Sequence, residues 1–365
     1  LLKEKLYMFK YFSFLLLPMV LFANLTYQSS FNKELTLLES FDIKPSFLHD
    51  TVMNKMRKNN CNLNKEAHFF DAMEEAYLFI PAIKNILAKY NVPQEFLYLA
   101  MAESNFKLKA FSHKKASGLW QFMPATGRHY NLRIDNYVDE RRDIIKSTEA
   151  AAKYLSVLHK RFHKWYLAAI AYNCGGGKLN RAIREAKSDE LSVLLDTEKK
   201  YIPKESRLYI RKIVALALIG TDEEFILSSK YGYLLNRANA YPVTTVKVPG
   251  GESLKRVAKL IQIPLEDLQK LNRHLKYDFV PPNKKDYSIY IPYIKLSDFK
   301  EKYHKKSIQN IYKVHVVKNG DNLSKIGRKY GVSYRMIMDF NKLRTSRLKL
   351  KQKLIIPINN HLNKG

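Results

Sequence analysis

From Glu66 to about Gly220 the apolar residues recur at intervals of three and four, with no convincing alternating run, and this spacing predicts an all-helical region. Phe69 to Tyr90, Pro93 to Phe106, Asp143 to Phe162, Tyr166 to Asn173 and Glu205 to Ile219 carry the pattern best. Gly175, Gly176 and Gly177 are expected to stop the fourth of these, as glycine past a helix end does. Residues 24–65 are polar with little period and read as a lead-in of loops and short helices. Ahead of them, Lys3, Lys5 and Lys10 precede an apolar run from Tyr11 to Ala23, broken only by Ser13 and Pro18. That run is shorter than the roughly 20 residues that span a bilayer. Residues 1–23 therefore read as a secretory signal, with cleavage or retention as an anchor both open. No Cys follows the run, so no lipid anchor on a mature N-terminal Cys is expected.

The last third contains an internal repeat. Val248-Pro-Gly-Gly-Glu-Ser-Leu254 aligns with Val317-Lys-Asn-Gly-Asp-Asn-Leu323, an offset of 69 residues that also superimposes Val257 on Ile326, Ile261 on Tyr330, Leu268 on Ile337 and Asn272 on Asn341. Both copies end in Ile-Pro, at Ile291-Pro292 and Ile356-Pro357. Each unit, 246–292 and 314–357, reads as a strand, two helices and a closing strand, with linkers at 221–245 and 293–313. The expected fold class is α+β: a mainly α domain over 66–220, followed by two small βααβ modules.

At 365 residues the chain suits two or three domains of roughly 100 to 200 residues each. With 46% hydrophobic and 12% aromatic residues, it has enough apolar surface to argue against wholesale disorder. The formal charge of +29 favours polyanionic surroundings such as nucleic acid, anionic lipid or an acidic wall polymer; a lysine-rich proteome would give the same balance without a partner. Only Cys61 and Cys174 occur, so there is neither a disulfide framework nor a four-ligand zinc spacing, and whether the two pair stays open.

On the helix that begins near Pro93, Phe96, Leu99, Ala100 and Glu103 fall on one face. A carboxylate in line with an apolar stripe loses hydration, so its pKa rises and it can hold a proton near neutral pH, as a general acid must. The alternative is a glutamate near a helix end, facing water or paired with a nearby Lys.

Glu103-Ser104-Asn105-Phe106, Ser112, and Ala116-Ser117-Gly118-Leu119-Trp120-Gln121-Phe122-Met123-Pro124 together resemble the catalytic signature of the lysozyme-like (SLT) lytic transglycosylases. Ala171-Tyr172-Asn173-Cys174-Gly175 and Glu205-Ser206-Arg207-Leu208-Tyr209 resemble two later blocks of the same family, in the same order. The repeats resemble LysM modules, which bind N-acetylglucosamine-containing glycans. The second copy is the closer, through Gly320-Asp321-Asn322-Leu323, Tyr330-Gly331-Val332, Asn341 and Leu354-Ile355-Ile356-Pro357. The first copy departs at Gly251-Glu252-Ser253-Leu254, and a spacer role is its alternative. Catalytic blocks followed by LysM modules resemble the membrane-bound lytic murein transglycosylase D family in particular.

The resemblance implies that Glu103 is the acid and base, with Ser112 and Gln121 in the substrate cleft. It implies that Tyr172 and Asn173 bind sugar or orient the glutamate, and that Glu205 and Tyr209 support the site. Gly118 would allow close backbone approach, and Trp120 reads more simply as core filling than as a sugar contact. Trp120 stands where Met is common, Cys174 replaces Ala and Ser206 replaces Thr; none of these removes an acid, base or amide. The implied reaction is non-hydrolytic cleavage between N-acetylmuramic acid and N-acetylglucosamine, closing a 1,6-anhydro ring with no metal or cofactor.

A lysozyme-type hydrolase would usually need a second carboxylate, for which Asp135, Asp139 and Glu140 are nearest in sequence. A non-catalytic glycan-binding scaffold is the alternative from another class. Expected partners are peptidoglycan glycan strands, with membrane or cell-wall machinery possible and nucleic acid not expected. The expected location is the periplasm.

Overall fold

The computed structural model describes residues 30–60, 66–235, 243–281, 285–304 and 310–359. The signal expected at 1–23 and Cys61 lie outside the described residues; Cys174 stands as a free thiol. In chain order the helices are α1 (30–40), α2 (Thr51–Asn60), α3 (Glu66–Ala76), α4 (Ile80–Lys89), α5 (Leu97–Ser104), α6 (Pro124–His129), α7 (Ile144–Phe162), α8 (Trp165–Cys174), α9 (Gly176–Ala186), α10 (Leu191–Leu194), α11 (Lys204–Thr221) and α12 (Glu223–Ser228). The repeats follow as β1 (Val243–Pro249), α13 (Leu254–Leu260), α14 (Leu265–Leu271) and β2 (Asp286–Pro292), then α15 (Leu296–Lys302), then β3 (Asn310–Val316), α16 (Leu323–Tyr330), α17 (Tyr334–Phe340) and β4 (Lys353–Asn359). The architecture is the expected α+β, a mainly helical region followed by small strand-bearing modules. Among the described residues no helix is long and apolar enough to cross a membrane.

Packing divides the chain into two units, residues 1–106 with 151–238, and residues 107–150 with 239–365. In the first unit α11 is the central helix, buried from Ile213 to Gly220 and packed against α2, α5 and α8. Gly220 lets α11 meet α5 closely: a Cβ there would lie 1.9 Å from the Tyr98 hydroxyl. The helix expected over Phe69 to Tyr90 is broken by a 3-10 turn at Tyr77–Phe79. Pro81 is the cause, because it has no N–H to offer the Tyr77 carbonyl and instead opens α4.

The glycine run also behaves differently from expectation. Gly175, at φ 87°, ends α8, but Gly176 and Gly177 begin α9, whose buried Leu179 and Ala182 repay the entropy of ordering two glycines. The lead-in at 24–65 contains the eleven-residue α1 as well as α2. The linker expected at 221–245 carries α12, capped by Asp222, whose carboxylate accepts from Phe225 N at 3.0 Å, and anchored by buried Ile226. At six residues α12 is too short to show a readable period.

In the second unit each repeat is a two-stranded antiparallel sheet with two helices, as expected. β1 and β2 pair from Val243↔Pro292 to Pro249↔Asp286, and β3 and β4 from Asn310↔Asn359 to Val316↔Lys353. The residues that aligned as Asn272 and Asn341 do the same work in both copies. Asn272 donates to Tyr290 O at 2.8 Å and accepts from Tyr290 N at 2.9 Å; Asn341 does so with Ile355 O and N, both at 2.7 Å. One side chain thus clamps the end of the second helix to the closing strand. The linker expected at 293–313 contains α15, whose Phe299 is buried in the core of the first repeat.

Candidate active site

Glu103 sits in the last turn of α5, a helix buried on nearly every side through Leu97, Tyr98, Leu99, Ala100 and Met101. Asn105, at φ 49°, ends the helix in a left-handed conformation just beyond it. The Tyr209 hydroxyl donates to Glu103 Oε1 at 2.6 Å. Burial raises the Glu103 pKa above its ordinary value, the Tyr209 bond and the Lys212 charge pull it back, and Glu205 pushes it up again. The net direction is upward, as the apolar face of the helix predicted. Tyr209 is itself held well above the ordinary tyrosine value by burial and by Glu103, so it remains a donor throughout the neutral range.

Lys212 was not legible as a site residue. It is half-buried, and its Nζ donates to Ala102 O at 2.7 Å, beside the glutamate. Burial lowers its pKa while Glu103 raises it. The signal that could have found it is spacing, because Tyr209 and Lys212 stand three residues apart on α11 and share a face.

Asn173 is oriented by Ser206, whose Oγ donates to Asn173 Oδ1 at 2.7 Å. Ser206 therefore supplies the hydroxyl that Thr would, and with Oδ1 engaged the amide presents Nδ2 as a donor. Tyr172 packs its ring 5.2 Å from Tyr154, and it adds to the resistance of Tyr209 to ionisation. Glu205 is exposed in the first turn of α11 and acts on Glu103 only as a like charge through space. Burial pushes the Cys174 thiol up, which makes it a poor nucleophile.

Glu103, Tyr172, Asn173, Glu205 and Tyr209 all belong to the first unit, whereas Ser112 and Gln121 belong to the second. Ser112 closes a turn: its Oγ accepts from Ala116 N at 3.0 Å and its own N–H donates to Ala116 O at 3.0 Å. Gln121, at φ 47°, donates through Nε2 to Gly118 O at 2.7 Å. Gly118 lies against the Arg141 backbone, as its close-approach reading required. Arg141 holds the loop by donating to Lys115 O at 2.6 Å and Phe122 O at 2.9 Å while forking onto Asp139. Trp120 is fully buried and donates to Thr148 Oγ1 at 2.9 Å, so it fills core.

The second carboxylates of the hydrolase alternative are committed elsewhere. Asp135 pairs with Arg133, Asp139 with Arg141, and Glu140 with Lys146. A cleft of about 420 Å³ in the first unit is lined by Asp50, Lys44, Lys164, Tyr166, Glu190 and Arg211 among others, but none of the candidate catalytic residues lines it. Its charges are already paired, Arg211 with Asp50 at 2.9 Å and Lys44 with Glu190 at 2.8 Å.

Family models match three segments: the transglycosylase SLT domain over 81–194, the LysM-like domain of lytic transglycosylase MltD over 243–308, and the LysM domain over 315–357. The chain is a homologue of the membrane-bound lytic murein transglycosylase D family. Membrane-bound lytic murein transglycosylase D of Escherichia coli strain K12 is 29% identical over 308 residues, covering 80% of this chain, and the protein of that name from E. coli O6:H1 gives the same values. The chain spans 66% of the length of these curated relatives. Among solved structures, the 70 kDa soluble lytic transglycosylase of E. coli is 21% identical with a TM-score of 0.32, covering 41% of this chain and 25% of that one. The SLT match contains Glu103, Ser112, Gln121, Tyr172 and Asn173 and ends before Glu205 and Tyr209. The LysM-like match includes α15, in keeping with burial of Phe299 in the first repeat.

Proposed function

We propose that the chain is a peptidoglycan lytic transglycosylase that cleaves the β-1,4 bond between N-acetylmuramic acid and N-acetylglucosamine and leaves a 1,6-anhydromuramic acid end. The observation that carries this reading is a half-buried Glu103 of raised pKa, bonded to Tyr209, inside an SLT match. Protonated Glu103 gives its proton to the glycosidic oxygen, and the substrate's acetamido group stabilises the cationic centre. The resulting carboxylate, steadied by Tyr209 and Lys212, takes the proton of the C6 hydroxyl as the ring closes. Asn173 offers its amide to an acetamido group and Tyr172 its ring to the sugar, and the family resemblance assigns Ser112 and Gln121 to substrate as well. No second carboxylate is required, which accords with the engagement of Asp135, Asp139 and Glu140 in ion pairs. The substrate and the family resemblance imply work in the periplasm, with the LysM region adding contacts to glycan.

Mass spectrometry of muropeptides released from sacculi tests the reading. Anhydro ends are expected; reducing ends would make the protein a hydrolase, and no release would make it a scaffold. The Lys212 charge adds a pH signature. A general acid works while protonated, so activity falls as pH rises through the Glu103 pKa. Removing the cation in Lys212→Met should raise that pKa and move the alkaline limb of the pH–rate profile to higher pH, while Lys212→Arg should leave it in place.

A further inference from the structure

The first repeat is joined to residues 137–143 by backbone pairing, by apolar burial and by a buried polar cluster. Leu275 and Val138 form an antiparallel bridge, flanked by Asp139 N donating to His274 O at 2.8 Å and Lys276 N to Tyr137 O at 2.9 Å. Val138 is fully buried within the repeat's own core, among Val246, Val248, Leu254, Ile289 and others. Behind it the Tyr290 hydroxyl donates to both oxygens of buried Asp143, at 2.9 and 3.2 Å, and buried His274 lies 3.5 Å from the same carboxylate. A module that served only as a tether on a linker would have no use for a residue of the catalytic region in its core.

The same segment grips the loop that carries Gln121. Arg141 holds the carbonyls on either side of that loop, its own carbonyl is the surface on which Gly118 rests, and Arg142 Nε donates to Ser117 Oγ at 3.0 Å. Only two residues separate Val138 from Arg141, and Asp143 immediately follows Arg142. A displacement of the repeat is therefore transmitted to Ser117, Gly118 and Gln121 through a short, fully hydrogen-bonded path.

We propose that the first repeat is a brace for the Ser117–Gln121 loop, with Val138, Asp143 and Tyr290 as positioning residues, and is not a free wall-tethering module. The inference rests on the proposed function in that Gln121 contacts substrate there. The test uses the full chain. Val138→Asp places a charge in the repeat's core, and Tyr290→Phe removes the two bonds to Asp143 and little else. Amide hydrogen exchange is read at Ser117–Gln121, KM and kcat on short soluble glycans, and co-sedimentation on sacculi. In Val138→Asp the loop amides should exchange at least about tenfold faster. KM should rise about tenfold or more as Gln121 loses its place, while co-sedimentation is retained. Tyr290→Phe should move exchange and KM in the same direction by less.

Unchanged loop exchange in folded Val138→Asp overturns the proposal, and if that variant does not fold, unchanged exchange in Tyr290→Phe does so. A fall in kcat at constant KM, the mark of a smaller active fraction, also overturns it, as does lost co-sedimentation with an unaltered loop. Should the wild-type protein cleave no glycan, the proposed function fails, yet the exchange measurement still decides the brace.

Discussion

Glu103→Gln is expected to reduce release of anhydromuropeptides by at least 10²-fold to 10⁴-fold, the usual value of general acid–base assistance, because one group serves both proton transfers. The amide still accepts the Tyr209 hydroxyl through Oε1 and fills the same space, so the fold should persist. Stability should change in a direction fixed by the raised pKa. In the folded state the ionised form is penalised, so wild type loses stability as pH rises from the ordinary value of 4.5 through the folded pKa. The Gln variant has no such loss and should melt higher than wild type at pH 7 to 8, with the advantage fading towards pH 4. Near wild-type release by a folded Glu103→Gln protein would remove Glu103 from the mechanism.

Gly118→Ala is expected to be severely destabilising. The residue sits at φ 84°, and a Cβ there would lie 1.8 Å from the Arg141 carbonyl oxygen and 2.5 Å from its carbon. Backbone is what it would strike, and that backbone is fixed by the fork of Arg141 onto Asp139. Left-handed strain for a non-glycine residue costs roughly 1–2 kcal/mol, and the clash brings the total to about 3 kcal/mol or more. For a domain of this size that corresponds to a fall in Tm of about 6–12 °C, read by calorimetry. Gly177→Ala is the matched control. It lies in α9 with nothing within 4 Å of the added atom, so it should be neutral or stabilise by up to about 1 kcal/mol.

α7 was legible because it buries one stripe, and α8 and α11 because long apolar runs mark helices buried nearly all round; all three begin and end within two residues of their predicted limits. The elements missed were those in which punctuation outweighs period. Pro81 divides a pattern that continues unbroken in sequence, and Gly176 opens a helix where glycine was read as a stop. Helices of six or seven residues, α12 and α15, are too short to show a stripe at all. At the site, Glu103 could be found from an apolar face because its chemistry depends on burial. Tyr209, Ser206 and Lys212 act through partners more than thirty residues away, at distances set only by packing. Arg141, which holds the Gly118 loop by its carbonyls, left no sequence signal, since backbone acceptors have no letter.

The asparagine clamp shared by the two repeats bears on how one small fold can serve unlike ends. Asn272 and Asn341, with a handful of apolar positions, close each module from within by the same pair of backbone bonds. In one copy a face has taken in Val138; in the other, Tyr334, Met336 and Phe340 are exposed. Resurfacing the second copy at those three exposed positions should leave its scaffold standing, which makes it a ready chassis for grafting new recognition.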